Sequence, residues 1–234
     1  MDEAKKDVPF KYYDLITVLF VAVLLISNVA TSKIAQFGPL SLSAAIILFP
    51  ISYIFGDILT EVYGYARSRR TVWLGFFCAA LAAFVYWVVG LMPPAPGWEN
   101  QEAYMKILGI VPRIVLGSLL AYWAGEFVNS FVLAKMKIFT KGRYLWSRTI
   151  GSTMAGELVD TIIVMAVAFY GVLPNFLLIQ VAINIYWVKV LYEIIATPFT
   201  YWIVNFLKKA EGIDYYDYHT NFTPFKVVLE EPKA

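Results

Sequence analysis

Six long apolar runs alternate with short breaks rich in turn residues. Residues 15–32, 34–56 and 71–92 are runs of this kind, with a single charge, Asp57, just beyond the second. Three later runs carry charge inside them: 114–134 holds Glu126, 149–171 holds Glu157 and Asp160, and 177–207 holds Lys189 and Glu193. A membrane-spanning helix needs roughly 20 mostly apolar residues, and each run is long enough. The breaks hold Phe37-Gly38-Pro39, the segment 64–70, Pro93-Pro94-Ala95-Pro96-Gly97, Lys141-Gly142-Arg143 and Pro174, all turn formers. The pattern predicts an all-α polytopic membrane protein, a bundle of six transmembrane helices. A cytoplasmic segment 1–14 precedes a six-helix transmembrane domain 15–207, and a cytoplasmic tail 208–234 without a fold of its own follows. The first run follows a charged stretch and lacks a small-residue cleavage site, so it reads as a retained helix.

Composition agrees. Of 234 residues, 60% are hydrophobic and 15% charged, against about half and about a quarter in soluble domains. A mean hydropathy of +0.65 suits a chain dissolved in lipid. The 7 Trp and 16 Tyr suit two membrane interfaces, where amphipathic rings settle. A net charge of +2 gives no reason to expect nucleic acid as a direct partner. The one cysteine, Cys78, excludes a disulfide framework or a cysteine-based zinc site within the chain.

Positive charge falls in alternate breaks: Lys5, Lys6 and Lys11; Arg67, Arg69 and Arg70; Lys137, Lys141 and Arg143; Lys208 and Lys209. The intervening breaks are nearly empty, with Lys33 before the second run, none after Gln36, Lys106 in the third-to-fourth break where Arg113 opens the fourth helix, and none around Pro174. This alternation fits the positive-inside rule with both termini cytoplasmic. The single histidine, His219, lies in the tail, where no role is expected.

Charges inside a bilayer are costly and mark pathways or sites unless they are paired. Asp57 and Glu61 lie at i,i+4 on one helix face, where like charges repel. They either face a ligand or form an interfacial cap beside Arg67, Arg69 and Arg70. Glu157 and Asp160 extend a stripe with Thr149, Thr153 and Thr161 that should face the bundle interior, as a site or as a structural hydrogen-bond network. Glu126 and Asn129 repeat the i,i+3 spacing. Lys189 and Glu193 at i,i+4 are expected to neutralise each other. Ser27, Asn28 and Thr31 form a polar patch, for packing or for a site. Arg113 and Arg148 open the fourth and fifth helices. Pro50 and Pro198 are expected to kink theirs.

A local repeat links two of these groups. Residues 124–130, Ala-Gly-Glu-Phe-Val-Asn-Ser, match 155–161, Ala-Gly-Glu-Leu-Val-Asp-Thr, position by position in residue type. The two helices run in opposite directions, and transporters build central sites from such inverted repeats. Gly117, Ala121 and Gly125 at four-residue spacing permit close helix approach. A phosphate-binding Gly-x-x-x-x-Gly-Lys loop and a His-Glu-x-x-His zinc helix are both missing from the sequence, so no cofactor or metal is implied.

Two signatures resemble a known family. Phe49-Pro50-Ile51-Ser52-Tyr53, Asp57, Thr60-Glu61-Val62-Tyr63-Gly64-Tyr65 and Arg67 form the first. Trp146-Ser147-Arg148-Thr149, Ser152-Thr153, Gly156-Glu157, Asp160-Thr161 and Phe169-Tyr170-Gly171 form the second. Asn28 and Pro112-Arg113 also fit. From about residue 15 to 207 the chain resembles the queuosine precursor transporter family, also called a vitamin uptake transporter family. The fourth helix departs from the family's usual Gln-then-Asp order, with Glu126 then Asn129. The resemblance implies a bacterial inner-membrane protein, not an enzyme, that imports a 7-deazaguanine precursor such as the 7-cyano or 7-aminomethyl form. The residues expected at the substrate are Asn28, Asp57, Glu61, Arg113, Glu126, Asn129, Arg148, Glu157 and Asp160. A carboxylate accepts two adjacent N–H donors of a guanine-like edge, while Asn both donates and accepts. Tyr53, Tyr63, Tyr122 or Trp123 are candidates to stack on the base. The rival readings are a substrate-binding subunit that needs an ATP-driven partner and an enzyme using Glu157 and Asp160 as acid and base. Proton coupling and homodimer formation stay open.

Overall fold

The computed structural model describes residues 10–30, 32–37, 40–109, 112–170, 174–218 and 220–225. His219 and the lysines at 5 and 6 lie outside them, as does Thr31 of the polar patch.

The fold is all-α apart from one short hairpin. Helix α1 spans Tyr13–Ala30, α2 Phe49–Tyr63, α3 Tyr65–Gly90, α4 Gln101–Leu108, α5 Pro112–Phe139, α6 Leu145–Val164 and α7 Asn175–Glu211. Five segments among the described residues are long and apolar enough to cross a membrane: Tyr13–Ala30, Ala44–Tyr63, Tyr65–Gly90, Leu145–Val167 and Ala182–Glu211. The 28-residue α5 packs among them. The chain is a polytopic membrane protein.

Its burial pattern is that of a protein turned toward lipid. Phe77, Leu81 and Phe84 on α3, and Phe199 and Trp202 on α7, point outward and are exposed. Asp57, Glu61, Glu126 and Asn129 are fully buried. In water this would be a large apolar surface over a charged core. In a bilayer the outer face needs no polar cover, and the charges gather away from hydrocarbon. An apolar core of Ile16, Phe20 and Leu24 from α1, with Ile58, Leu59, Val62, Val204 and Leu207 from α2 and α7, holds one end together.

Three local expectations are corrected. The second apolar run is not one helix. β1 (Ile34–Phe37) and β2 (Leu40–Ser43) pair antiparallel, a 3-10 turn follows at Ala44–Ile47, and α2 starts only at Phe49. Leu and Ser alternate along β2, the period-two pattern of a strand. Pro50 therefore stands in the first turn of α2, where its missing N–H costs nothing, and it does not kink the interior. Pro198 does lie inside α7. The break at 64–70 shrinks to Gly64, whose positive φ of 85° suits a residue without a side chain. Arg67, Arg69 and Arg70 then fall in the opening turns of α3. The short α4 was not foreseen, and its Lys106 pairs with Glu102 one turn away.

As expected, the described residues of the tail beyond α7 form no helix or strand, and they are strapped to the bundle. The Tyr65 N–H donates to both oxygens of Asp217, at 3.0 and 3.2 Å. Arg69 donates to the carbonyls of Asn221 and Thr223, and the Trp73 indole to that of Pro224 at 2.8 Å. The start of the chain reaches the same end. The Lys11 and Tyr12 N–H groups donate to Glu211 at 2.9 and 2.8 Å.

Candidate functional site

The repeat in α5 and α6 is a contact in three dimensions. The helices run antiparallel and touch where Gly125 meets Gly156. A Cβ built on Gly156 would stand 2.8 Å from the Gly125 carbonyl and 2.9 Å from the Asn129 Cβ. One built on Gly125 would stand 3.0 Å from the Gly156 carbonyl and 3.0 Å from the Asp160 Cβ. The approach is reciprocal, as an inverted repeat requires. It brings Glu126 and Asn129 on α5 beside Glu157 and Asp160 on α6, with Tyr53 of α2 against both glycines.

Around this crossing lies a buried acidic cluster. The Asn129 amide donates to Asp57 Oδ1 at 2.8 Å. Lys189 Nζ, reaching in from α7, donates to Glu157 Oε2 and Asp160 Oδ2, each at 2.6 Å. Glu193, one turn further along α7, is 1% exposed. The expected Lys189–Glu193 pair is therefore corrected: Lys189 turns away from its own helix and bridges two carboxylates of α6. Glu126 stands against α2, where a Cβ on Gly56 would lie 1.7 Å from Glu126 Oε1. No hydrogen bond of good geometry among the described residues reaches either Glu126 oxygen, Asp57 Oδ2, Asn129 Oδ1 or Glu193 Oε1.

Asp57 and Glu61 share a face of α2 but belong to different groups. Glu61 lies toward the end where the two chain ends meet. Its Oε1 accepts from Arg148 Nη2 at 2.8 Å and from Lys208 Nζ at 2.6 Å, with Lys137 Nζ at 3.4 Å. Asp214 from the tail accepts from Lys137 and Lys208 at 2.7 and 2.8 Å. Burial works to raise the Asp214 carboxyl, but the hydrogen bonds from these lysines prevail and hold it below its ordinary range. Glu61 is thus fastened by Arg148, Lys208 and Lys137, where the capping alternative named Arg67, Arg69 and Arg70. Arg69 holds the tail, and the Arg67 guanidinium lies 4.4 Å over the Phe10 ring.

Of the nine residues expected at a site, Asp57, Glu126, Asn129, Glu157 and Asp160 come together. Glu61 and Arg148 pair with each other in the second group. Asn28 is half-buried on α1 and has no hydrogen bond to either group among the described residues. The side chain of Arg113 lies outside the described residues. Two stacking candidates fall away, since the Tyr63 hydroxyl donates to Glu211 at 2.9 Å and Trp123 packs among Trp73 and Phe127. Tyr53 and Tyr122 remain, both buried. Lys189, Glu193 and Gly56 were not foreseen as parts of one site. The face shared by Glu157 and Asp160 demands a cation, but nothing in the sequence says which helix supplies it.

A family described as "Putative vitamin uptake transporter" matches residues 43–203. The chain belongs to this family. The matched span runs from the last residue of β2 through most of α7, so it contains every member of the acidic cluster. The chain is similar to a "Probable queuosine precursor transporter" of Bacillus subtilis, with 34% identity over 176 residues, 75% of this chain and 77% of the relative. It is also similar to a "Queuosine precursor transporter" of Escherichia coli, 24% identical over 150 residues, 63% of this chain and 65% of the relative. A third relative, a "Probable queuosine precursor transporter" of Haemophilus influenzae, is 22% identical over 124 residues, 53% of this chain and 50% of the relative. No solved structure matches. Membership makes the chain a transporter and not an enzyme.

Proposed function

We propose that the chain imports a 7-deazaguanine precursor of queuosine across the bacterial inner membrane, and that the acidic cluster at the α5–α6 crossing binds it. Six segments span the bilayer: α1, α2 with its 3-10 lead-in, α3, α5, α6 and α7. Both chain ends lie on the cytoplasmic side. The gathering of Lys11, Arg67, Lys137 and Lys208 at one end, through contacts with Glu211, Phe10 and Asp214, supports that orientation.

The observation that carries the reading is the gathering of five buried carboxylates from α2, α5, α6 and α7 where the repeats meet, beside the buried hydroxyls of Tyr53 and Tyr122. A guanine-like ring offers adjacent N–H donors that one carboxylate accepts together. Glu157 or Asp160, released in part from Lys189, takes that role, and Asn129 supplies a mixed donor and acceptor. Tyr53 or Tyr122 offers a flat face for the base, a contact worth roughly 1–3 kcal/mol. The names of the relatives supply the substrate class.

The test is uptake of radiolabelled 7-cyano- and 7-aminomethyl-7-deazaguanine into liposomes that contain only this protein, with excess unlabelled guanine as competitor. Saturable uptake of either that guanine barely inhibits is the expected result. Binding without uptake would assign the chain to a larger system with a separate energising partner. Absence of both binding and uptake would refute the substrate class.

A further inference from the structure

We propose that the charges around Glu61 form the gate of the transport path at the end where the two chain ends meet, and that tail residues 214–217 bolt it shut. This rests on the reading above that the α5–α6 acidic cluster is the substrate site, and it adds how that site is closed on one side.

The same four helices build both groups. α2, α5, α6 and α7 bring Asp57, Glu126, Asn129, Glu157, Asp160 and Glu193 to the acidic cluster. Each also gives one charged side chain nearer the tail: Glu61, Lys137, Arg148 and Lys208. Glu61 lies four residues beyond Asp57, Lys137 eight beyond Asn129, and Arg148 nine before Glu157. These offsets put the second group roughly 6–14 Å from the cluster along the helix axes. The four side chains converge there. Arg148 and Lys208 donate to the same Glu61 oxygen, and Lys137 donates to the Glu61 carbonyl at 2.6 Å.

The interior between the two groups is polar. Thr60 on α2, Ser130 on α5 and Thr149, Ser152 and Thr153 on α6 are all buried. Thr60 and Ser130 pair with each other at 3.1 Å. No hydrogen bond of good geometry among the described residues reaches the Thr153 hydroxyl, between Arg148 and Glu157 on α6. Polar groups inside a membrane bundle mark pathways when their own contacts do not use them up.

The tail lies across this end. Asp214 accepts from Lys137 and Lys208 at 2.7 and 2.8 Å. The Tyr215 carbonyl accepts from Lys137 at 2.7 Å, so the three donors of that ammonium are committed to α2 and the tail. The Tyr215 ring lies against Gly64 and the Tyr216 hydroxyl against Gly142. Neighbouring tail residues thus cover the α2–α3 turn and the α5–α6 turn. Asp217 takes the Tyr65 N–H where α3 begins.

The chemistry suits a closure that opens. A buried ion pair gains little over apolar packing of the same shape, so stability alone does not call for charges here. Apolar surfaces that part to admit water meet it at their full hydrophobic cost. Charges that part are rehydrated. A seal that breaks and reforms in each transport cycle is therefore better made of ion pairs.

The experiment times access to the hydroxyl-lined interior and needs no substrate. Thr153→Cys is introduced into the full chain together with Cys78→Ser. The protein is placed in lipid nanodiscs, and its modification by a charged methanethiosulfonate is followed. Ser27→Cys, buried toward the far end of α1, is the control reporter. With the gate intact, Thr153→Cys should react slowly. Glu61→Gln should speed that reaction by about tenfold or more, the worth of one charge-assisted hydrogen bond. Asp214→Asn should speed it by about threefold, since that acid is partly exposed. Ser27→Cys should keep its rate in both. Fast reaction of Thr153→Cys in the otherwise unaltered chain, or a rate that neither variant changes, overturns the proposal. Equal acceleration at Ser27→Cys also overturns it, because the charges would then hold the whole fold and not a gate. These rates do not depend on what is transported, so a failure of the substrate reading would show in the uptake assay and not here.

Discussion

Two groups of buried charge sit on neighbouring turns of α2, and they are built on opposite principles. At Glu61, one carboxylate meets Arg148, Lys208 and Lys137, with Asp214 completing the set. Around Asp57, five carboxylates gather, and Lys189 bridges two of them, Glu157 and Asp160. A buried charge with a partner is a fastening, and removing one member leaves the other exposed to its full desolvation cost. A buried charge without a partner fastens nothing and is itself a cost to the fold. The first group ties α2, α5, α6, α7 and the tail together at one end. The second gathers acids from α2, α5, α6 and α7 around Lys189 and is the proposed substrate site.

The comparison breaks most readily at Lys189. Lys189→Met leaves Glu157 and Asp160 buried without their cation, and should cost roughly 3–5 kcal/mol and abolish uptake. Thermal unfolding in detergent and proteoliposome uptake measure the two effects. A variant of ordinary stability would mean that the acids are neutral and that the lysine holds nothing.

A smaller loss is expected from Glu61→Gln, about 2–3 kcal/mol, because Lys137 and Lys208 keep Asp214 as an acceptor. The informative quantity is precursor affinity in the folded fraction, which should not change. Altered affinity would merge the two groups into one site.

Gly156→Ala tests the crossing that assembles the acidic cluster. Its Cβ would press on the Gly125 carbonyl and on Asn129, and overpacking of this kind costs about 1–3 kcal/mol. Both stability and binding should fall together, since the contact orders both halves of the repeat.

The least effect belongs to Asp214→Asn, under about 1 kcal/mol, because the acid is partly exposed. Its carboxyl is held below the ordinary range in the folded chain. The stability it adds is thus fully present above the ordinary value of about 4 and is lost as pH falls through the depressed one. Limited proteolysis of residues 213–225 should find the tail as well protected at pH 5 as at pH 7, and cut a few-fold faster in the variant. Release of the tail near pH 6 would mean that another group fastens it.

What the sequence made legible follows from distance along the chain. Apolar runs report helices because each residue is judged with its near neighbours, and the runs at 15–32 and 71–92 fall within or close to α1 and α3. The Gly-Glu repeat was legible for the same reason, and the reciprocal approach of Gly125 and Gly156 is its structural counterpart. Partner choice was not legible. Lys189 lies four residues from Glu193 but 32 from Glu157, and only the rotation of α7 against α6 decides between them. The tail's fastening was not legible because much of it runs through the backbone carbonyls of Asn221, Thr223 and Pro224, which every residue possesses. The strands Ile34–Phe37 and Leu40–Ser43 were hidden because their apolar residues run on into those of α2, and a few apolar residues serve a strand or a helix equally well.

The most direct test of the central claim is to locate the bound precursor. A photoreactive 7-deazaguanine can be crosslinked to the purified chain and the adducts mapped by mass spectrometry. Adducts should fall on α2, α5 and α6 around Tyr53, Tyr122, Asn129 and Thr153, and be suppressed by unlabelled precursor. The contrary result has a definite address, an apolar cavity of about 370 Å³ between α6 and α7 lined by Leu158, Ile162, Ile179, Ile183 and Trp187. Competed adducts confined to that cavity would show that the acidic cluster is not where the substrate binds.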